Sequence, residues 1–204
     1  MMHPFRALVL GSLFATFGAA AVPADQVIKP TRGTIDQFNG HTLQLTTRQG
    51  EKLSVDVTDK TRVNSVSKAQ MSDIKPDSFI GTAAVPQPNG TLRALEVHVF
   101  APSLRGSGEG FNPFESADGK VNTMTNGTVG KLVNSQGRTL TVKYGDKAKT
   151  VNVPDDVPVV LIEPGNTSLL KPGTKVVLFG QKGDDGKLVA RGISAGKDGL
   201  TPPM

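Results

Sequence analysis

The sequence predicts an all-β protein made of two small barrels in tandem, joined by a glycine-rich insert. Three observations predict it. Nearly the same order of residues occurs twice: Gly33-Thr34-Ile35, Lys75-Pro76 and Asn89-Gly90-Thr91-Leu92-Arg93-Ala94 return as Gly127-Thr128-Val129, Lys171-Pro172 and Asp185-Gly186-Lys187-Leu188-Val189-Ala190, the last two pairs at one offset of 96. A constant offset across a gap-free block marks the duplication of one structural unit. With 23 Gly and 14 Pro in 204 residues, and runs of two-residue period between them, the chain reads as many short strands separated by turns. No long stretch carries the 3.6-residue period of an amphipathic helix.

Residues 1–24 hold Arg6, an uncharged apolar run from Ala7 to Val22, and small residues up to Val22-Pro23-Ala24. This is the layout of a secretory signal peptide cut before Asp25, with a second fitting cut after Ala21. The run contains Gly11, Ser12, Thr16 and Gly18 and falls short of the ~20 apolar residues that span a bilayer, so no membrane span is expected after cleavage. The chain has no Cys, which excludes both a lipid-modified amino-terminal Cys and disulfides. The expected location is periplasmic or secreted, in a bacterium. Formal charge is +5 from 23 basic and 18 acidic residues; without Arg6 it is 22 against 18, or +4. That mild excess suits a solvated surface, with an envelope protein or an anionic envelope polymer as the partner to weigh.

The first repeat spans 32–100. Gly33–Phe38 reads as a strand, Asn39-Gly40 as a tight turn, and His41–Thr47 as the partner strand with Leu43 and Leu45 on one side. Leu53, Val55 and Val57 continue the period in a third strand, as Leu140, Val142, Val151 and Val153 do in the second repeat, 126–195. Ser67–Ile74 has a capping Ser and an apolar side at Met71 and Ile74, predicting one or two helical turns; the second repeat, with Glu163-Pro164-Gly165-Asn166 there, holds at most a turn. Ser78–Val85 and Lys175–Gly180 follow as strands. Three strands, a connection and two more strands is the element order of an OB-type barrel. In the last strand Leu92 and Ala94 have one parity and Val97 and Val99 the other, a change repeated by Leu188, Ala190 and Ile193. A regular strand cannot switch faces, so β-bulges are predicted near Leu95-Glu96 and Arg191-Gly192.

The insert, 101–125, spells Arg105-Gly106-Ser107-Gly108-Glu109-Gly110 and then Phe111-Asn112-Pro113-Phe114. A flexible spacer has little use for two Phe, which point to docking on a barrel or on a partner. Arg105, Glu109, Phe111 and Phe114 are therefore the candidate partner contacts. The tail, 196–204, is expected to be extended. These segments also carry a resemblance: the Arg105–Gly110 run, Met124-Thr125-Asn126-Gly127-Thr128-Val129 and the closing Gly199-Leu200-Thr201-Pro202-Pro203-Met204 are similar to a two-copy proteobacterial subgroup of an exported domain-of-unknown-function family with OB-like barrels. The resemblance implies no established activity. Some members are labelled as metal transporter components, which suits at most an accessory protein here, since a permease needs several spanning helices.

The residues offer little chemistry. After the leader the only His are His41 and His98, and neither has a His at the matching place in the other repeat. His98 shares a strand side with Glu96, an arrangement that fits an ordinary cross-face pair better than a metal ligand set. Met124 and Met204 are scattered thioethers, and Asp184-Asp185-Gly186 lacks the spaced carboxylates of a calcium loop. No Gly-x-Ser-x-Gly elbow or Cys nucleophile occurs, Asp155-Asp156 reads as turn chemistry, and the glycine run matches no nucleotide-binding pattern. No catalytic, cofactor or metal residue is therefore assigned. Aromatics interleaved with Lys and Arg, as single-stranded nucleic acid requires, are lacking. The reading is a non-catalytic binding or adaptor protein of the envelope, the alternative a periplasmic accessory protein handling a small ligand or metal, with a carboxylate-pair hydrolase a distant third.

Overall fold

The computed structural model describes residues 27–133, 138–183 and 187–204. The signal-peptide reading and Asp184-Asp185-Gly186 lie outside them. The chain is nearly all β. The strands are β1 (Thr31–Phe38), β2 (Thr42–Thr47), β3 (Lys52–Asp56), β4 (Arg62–Ala69), β5 (Phe79–Pro86), β6 (Leu92–Ala94) and β7 (Val97–Phe100), then β8 (Gly110–Glu115), β9 (Val121–Val133), β10 (Thr139–Tyr144), β11 (Lys147–Asn152), β12 (Val159–Pro164), β13 (Lys175–Lys182) and β14 (Leu188–Gly196).

Hydrogen bonding closes two five-stranded rings, in the order β13-β1-β2-β3-β14 and β5-β6-β11-β10-β9, each sealed by pairing of its first and last strands. Neither ring belongs to one repeat. The first ring takes β1–β3 from residues 32–100 and β13–β14 from residues 126–195; the second takes β5–β6 from the first repeat and β9–β11 from the second. This corrects the expected tandem division, in which each repeat closes its own barrel. The physical reason lies in β4 and β12, which run straight from one ring to the other and pair antiparallel, Val159 against Ala69 through Pro164 against Asn64. Each also pairs in parallel with a further strand, β4 with β14 and β12 with β7, which continues β6 past its bulge. Two repeats with one hydrophobic pattern offer each other equally good partner strands, so exchange costs no apolar burial, and within one chain the partner is always near.

Each ring encloses a core. Ile35, Leu43, Leu45, Val55, Leu178 and Ile193 fill the first, and Ile80, Leu92, Val97, Leu140, Val142 and Val151 the second. Gly33 and Gly127 keep the repeated start of each first strand: a Cβ on Gly127 would overlap the carbonyl of Lys143, and one on Gly33 that of Thr46, where strands cross closely. Both predicted bulges are present. Ala84 pairs with Ala94 but Gly81 with His98, a slip of one residue across Leu95-Glu96. Phe179 pairs with Gly192 but Gly180 with Ala190, leaving Arg191 as the extra residue. A second repeated irregularity, at Asp36 in β1 and at Gly130 in β9, bends the first strand of each half as the ring closes.

Three expectations change. Ser67 belongs to β4, and only Met71–Asp73 forms a 3-10 turn, started where the Gln70 N–H donates to the Asp73 carboxylate (2.8 Å). The insert is largely strand: β8 and the start of β9 form a hairpin, and β9 continues onto β5 from Thr123 to Thr128. The tail, expected to be extended, turns at 197–200, where the Leu200 N–H donates to Lys197 O (2.8 Å), and ends with Met204 buried. Val66, Phe114, Met124, Val160, Ile162, Val177 and Met204 make a third core, between the rings.

Candidate functional site

The bulge after Ala94 turns Glu96 and His98 onto the outer face of the second ring, toward the space between the rings. Both are buried, at 2% exposure each. Glu96 Oε1 accepts from the Ala83 N–H (3.0 Å), and Oε2 lies 3.1 Å from His98 Nδ1. With its proton on Nδ1 the ring donates to this carboxylate, and in the neutral imidazole Nε2 then carries the lone pair. The expected exposed cross-face pair is therefore a buried carboxylate–imidazole pair. Sequence carried the parity change and the shared face, but not the facing ring and insert between which they are buried.

Gly81 lies between His98 on β7 and Asn126 on β9, paired with both. A Cβ at Gly81 would overlap His98 Nε2 and Asn126 Oδ1, so the two side chains meet over this glycine. Asn126 Nδ2 donates to Ser107 O (3.1 Å), which fixes its carbonyl toward His98. Asn126 Oδ1 is buried without a hydrogen-bond partner, as is Thr125 Oγ1 on the other face of β9.

The corresponding place in the other half is built differently. There the register sets Arg32 against Val177 and Val177 against Ser194, where this half has Asn126, Gly81 and His98. Val177 is fully buried and fills the space that Gly81 leaves open. Arg32 reaches across to Met204 O (2.8 Å) and Glu115 O (2.5 Å), holding the tail and the end of β8, with its guanidinium over the Phe114 ring at 5.8 Å. Burial, with Arg48 nearby, lowers the pKa of Arg32 from its ordinary value, opposed by Glu115.

A cavity of about 370 Å³ opens between the rings. Phe100, Phe114, Ile162, Phe179 and Ile193 supply apolar wall, Met124 and Met204 line it as well, and His98 and Asn126 stand at its inner end. Arg62 and Arg191 line it too; both are exposed, so they mark where it meets solvent. His98, Met124 and Met204, far apart in sequence, thus share one cavity, while His41 is exposed elsewhere. Among the described residues no group of three or more His, Cys, Asp or Glu is gathered, and no Asp or Glu lines the cavity. Asp155, exposed in its turn, pairs with Arg138 Nε at 2.6 Å.

The candidate partner contacts point back into the chain. Arg105 donates to Thr128 Oγ1 (3.0 Å) and to Asp77 O, and its guanidinium lies over Phe79. Glu109 accepts from the Gly145 N–H (3.1 Å). Phe111 stacks on Tyr144 with centroids 6.2 Å apart, and Lys149 Nζ lies 4.8 Å from the Phe111 ring centre. Phe114 is 1% exposed and belongs to the inter-ring core, which removes it from any contact surface; Phe111, at 36%, remains on one. No helix among the described residues is long and apolar enough to cross a membrane. No family model, curated protein or solved structure matches the chain.

Proposed function

We propose that this is an exported binding protein of the cell envelope that holds a small, largely apolar ligand between its two rings and performs no chemistry on it. One observation carries the reading: a cavity of about 370 Å³, within the range of small-molecule sites, walled largely by apolar side chains from both rings with a few polar groups among them. The insert supports it by closing the cavity beside Leu104, Ser107 and Gly108 rather than by offering a surface to a partner. The sequence contains no Trp, so Phe179→Trp on the cavity wall provides a single-Trp reporter. Its emission should change saturably as apolar ligands are added. A reporter that stays flat across fatty acids, aromatic acids and hydrophobic dyes would count against a ligand cavity.

A further inference from the structure

The cavity is polar at both ends in opposite senses, and this selects a ligand class. The inner end is one hydrogen-bond donor short: Asn126 Oδ1 has no partner, and beside it a neutral His98 with its Nδ1 proton on Glu96 offers Nε2 as a second acceptor. A buried acceptor without a donor is costly, which favours anything that brings one. The outer end has the opposite character. Arg62 and Arg191 stand on adjacent strands, with Arg62 paired to Gly192, and neither has an ion pair or hydrogen bond among the described residues. Two neighbouring unpaired guanidinium groups attract a carboxylate. Strand order separates the two ends: β14 and β4 carry the arginines, β12 intervenes, and β7, β5 and β9 carry His98, Gly81 and Asn126. Phe100, Ile162 and Phe179 line the same cavity, with Asn64 and Ser194 as smaller polar groups on the arginine strands. The other half, with Val177 and Ser194 at the equivalent places, has no such inner end.

Resting on the binding reading above, we infer that the ligand is a small organic acid with an apolar, best aromatic, body and a hydroxyl at the end opposite its carboxylate. The carboxylate lies on Arg62 and Arg191. The hydroxyl donates to His98 Nε2, with Asn126 Oδ1 as the neighbouring acceptor, and the body packs on Phe100 and Phe179.

The test uses the full mature chain and para-hydroxyphenylpropionate as probe, with binding followed by calorimetry and by the ring-proton signal of His98. Phenylpropionate lacks the hydroxyl, and the methyl ester of the probe lacks the anion. Loss of either polar contact should weaken binding about tenfold or more. The variant Arg62→Gln with Arg191→Gln, two exposed side chains whose loss leaves the fold intact, should weaken the acid by a similar factor and leave the ester unchanged. The His98 signal should shift with the probe and less with phenylpropionate. If all three compounds bind equally and ignore the arginine changes, this ligand class is wrong while an apolar cavity still stands. If none binds and no hydrophobic dye reaches the Phe179→Trp reporter, the cavity reading falls as well, and this inference with it.

Discussion

Gly81→Ala tests whether the glycine is there to make room. In a strand, Ala is favoured over Gly by about 0.5–1 kcal/mol. Against that, the new methyl overlaps His98 Nε2 and Asn126 Oδ1, both on the face turned to the space between the rings. Overpacking of this kind costs about 1–3 kcal/mol. The overpacking term is the larger, so Gly81→Ala should destabilise by about 1 kcal/mol, or roughly 2–4 °C in melting temperature for a chain of this size. In a His98→Ala background the sign should reverse. The imidazole is gone, Asn126 can turn into the vacated space, and the strand preference for Ala emerges as a gain of about 0.5–1 kcal/mol. The cost of leaving Glu96 with one partner fewer appears in both His98 variants and cancels in the cycle. Urea denaturation of the four proteins gives the coupling energy, expected at about 1–3 kcal/mol. A coupling below about 0.5 kcal/mol would mean the two positions act independently and refute the account of Gly81.

Residues 27–104 and 105–204, produced separately, should fail to fold as monomers, because each ring needs strands from both repeats; mixed together they should assemble. A folded, monomeric half, seen by circular dichroism and gel filtration, would show that a repeat can close its own barrel and that exchange is not required. Phe114→Ala should cost about 3–5 kcal/mol by removing a fully buried ring from the core between the rings, whereas Phe111→Ala, losing one exposed stack on Tyr144, should cost less than about 1.5 kcal/mol; thermal melts of the two should differ by many degrees. Hydrogen bonds from Thr46, then Lys52, hold the Asp36 carboxyl below its ordinary value of 3.8. Folding therefore favours the ionised form, a contribution present above pH 3.8 and lost as pH falls through the lower folded value. Asp36→Asn should flatten the acid side of the stability curve; equal acid sensitivity in both proteins would contradict this.

Much of the architecture could be read from residues alone, and the reason is local. The parity switch between Ala94 and Val97 is a statement about one strand's two faces, so it located the bulges at Leu95-Glu96 and Arg191 without any knowledge of the partner strands. Asn39-Gly40 likewise needed only its own turn, in which Asn39 Oδ1 accepts from the His41 and Thr42 N–H groups and Gly40 takes φ of 100°. The exchange of halves was not legible, because alternation says which side chains face a core and not which repeat supplies the facing strand. For the same reason the site was seen in pieces. Glu96 and His98 shared a face in the sequence, but only β5 and β9 bring Gly81 and Asn126 beside them, and only the exchanged ring buries the set. In the insert, Phe111-Asn112-Pro113-Phe114 signalled docking, and strand alternation puts Phe111 and Phe114 on opposite faces without saying which of the two is covered.

The exchange and the asymmetry together give a physical reason for one inter-ring cavity of this kind rather than two in a chain whose halves share one strand pattern. A face repeated by pseudo-twofold symmetry would place two equivalent surfaces against each other, and with Val177 on both the space between the rings would be filled. On one side the sequence keeps the filling residue and uses Arg32 to clamp the tail and β8 across it; on the other it removes the side chain at Gly81 and turns an imidazole and an amide into the gap. Replacing Gly81, His98 and Asn126 by Val, Ser and Arg would restore the symmetry. If the cavity is what the asymmetry is for, that triple variant should gain stability over Gly81→Ala and lose all response to cavity ligands; unchanged ligand response would show that the glycine, imidazole and amide serve packing alone.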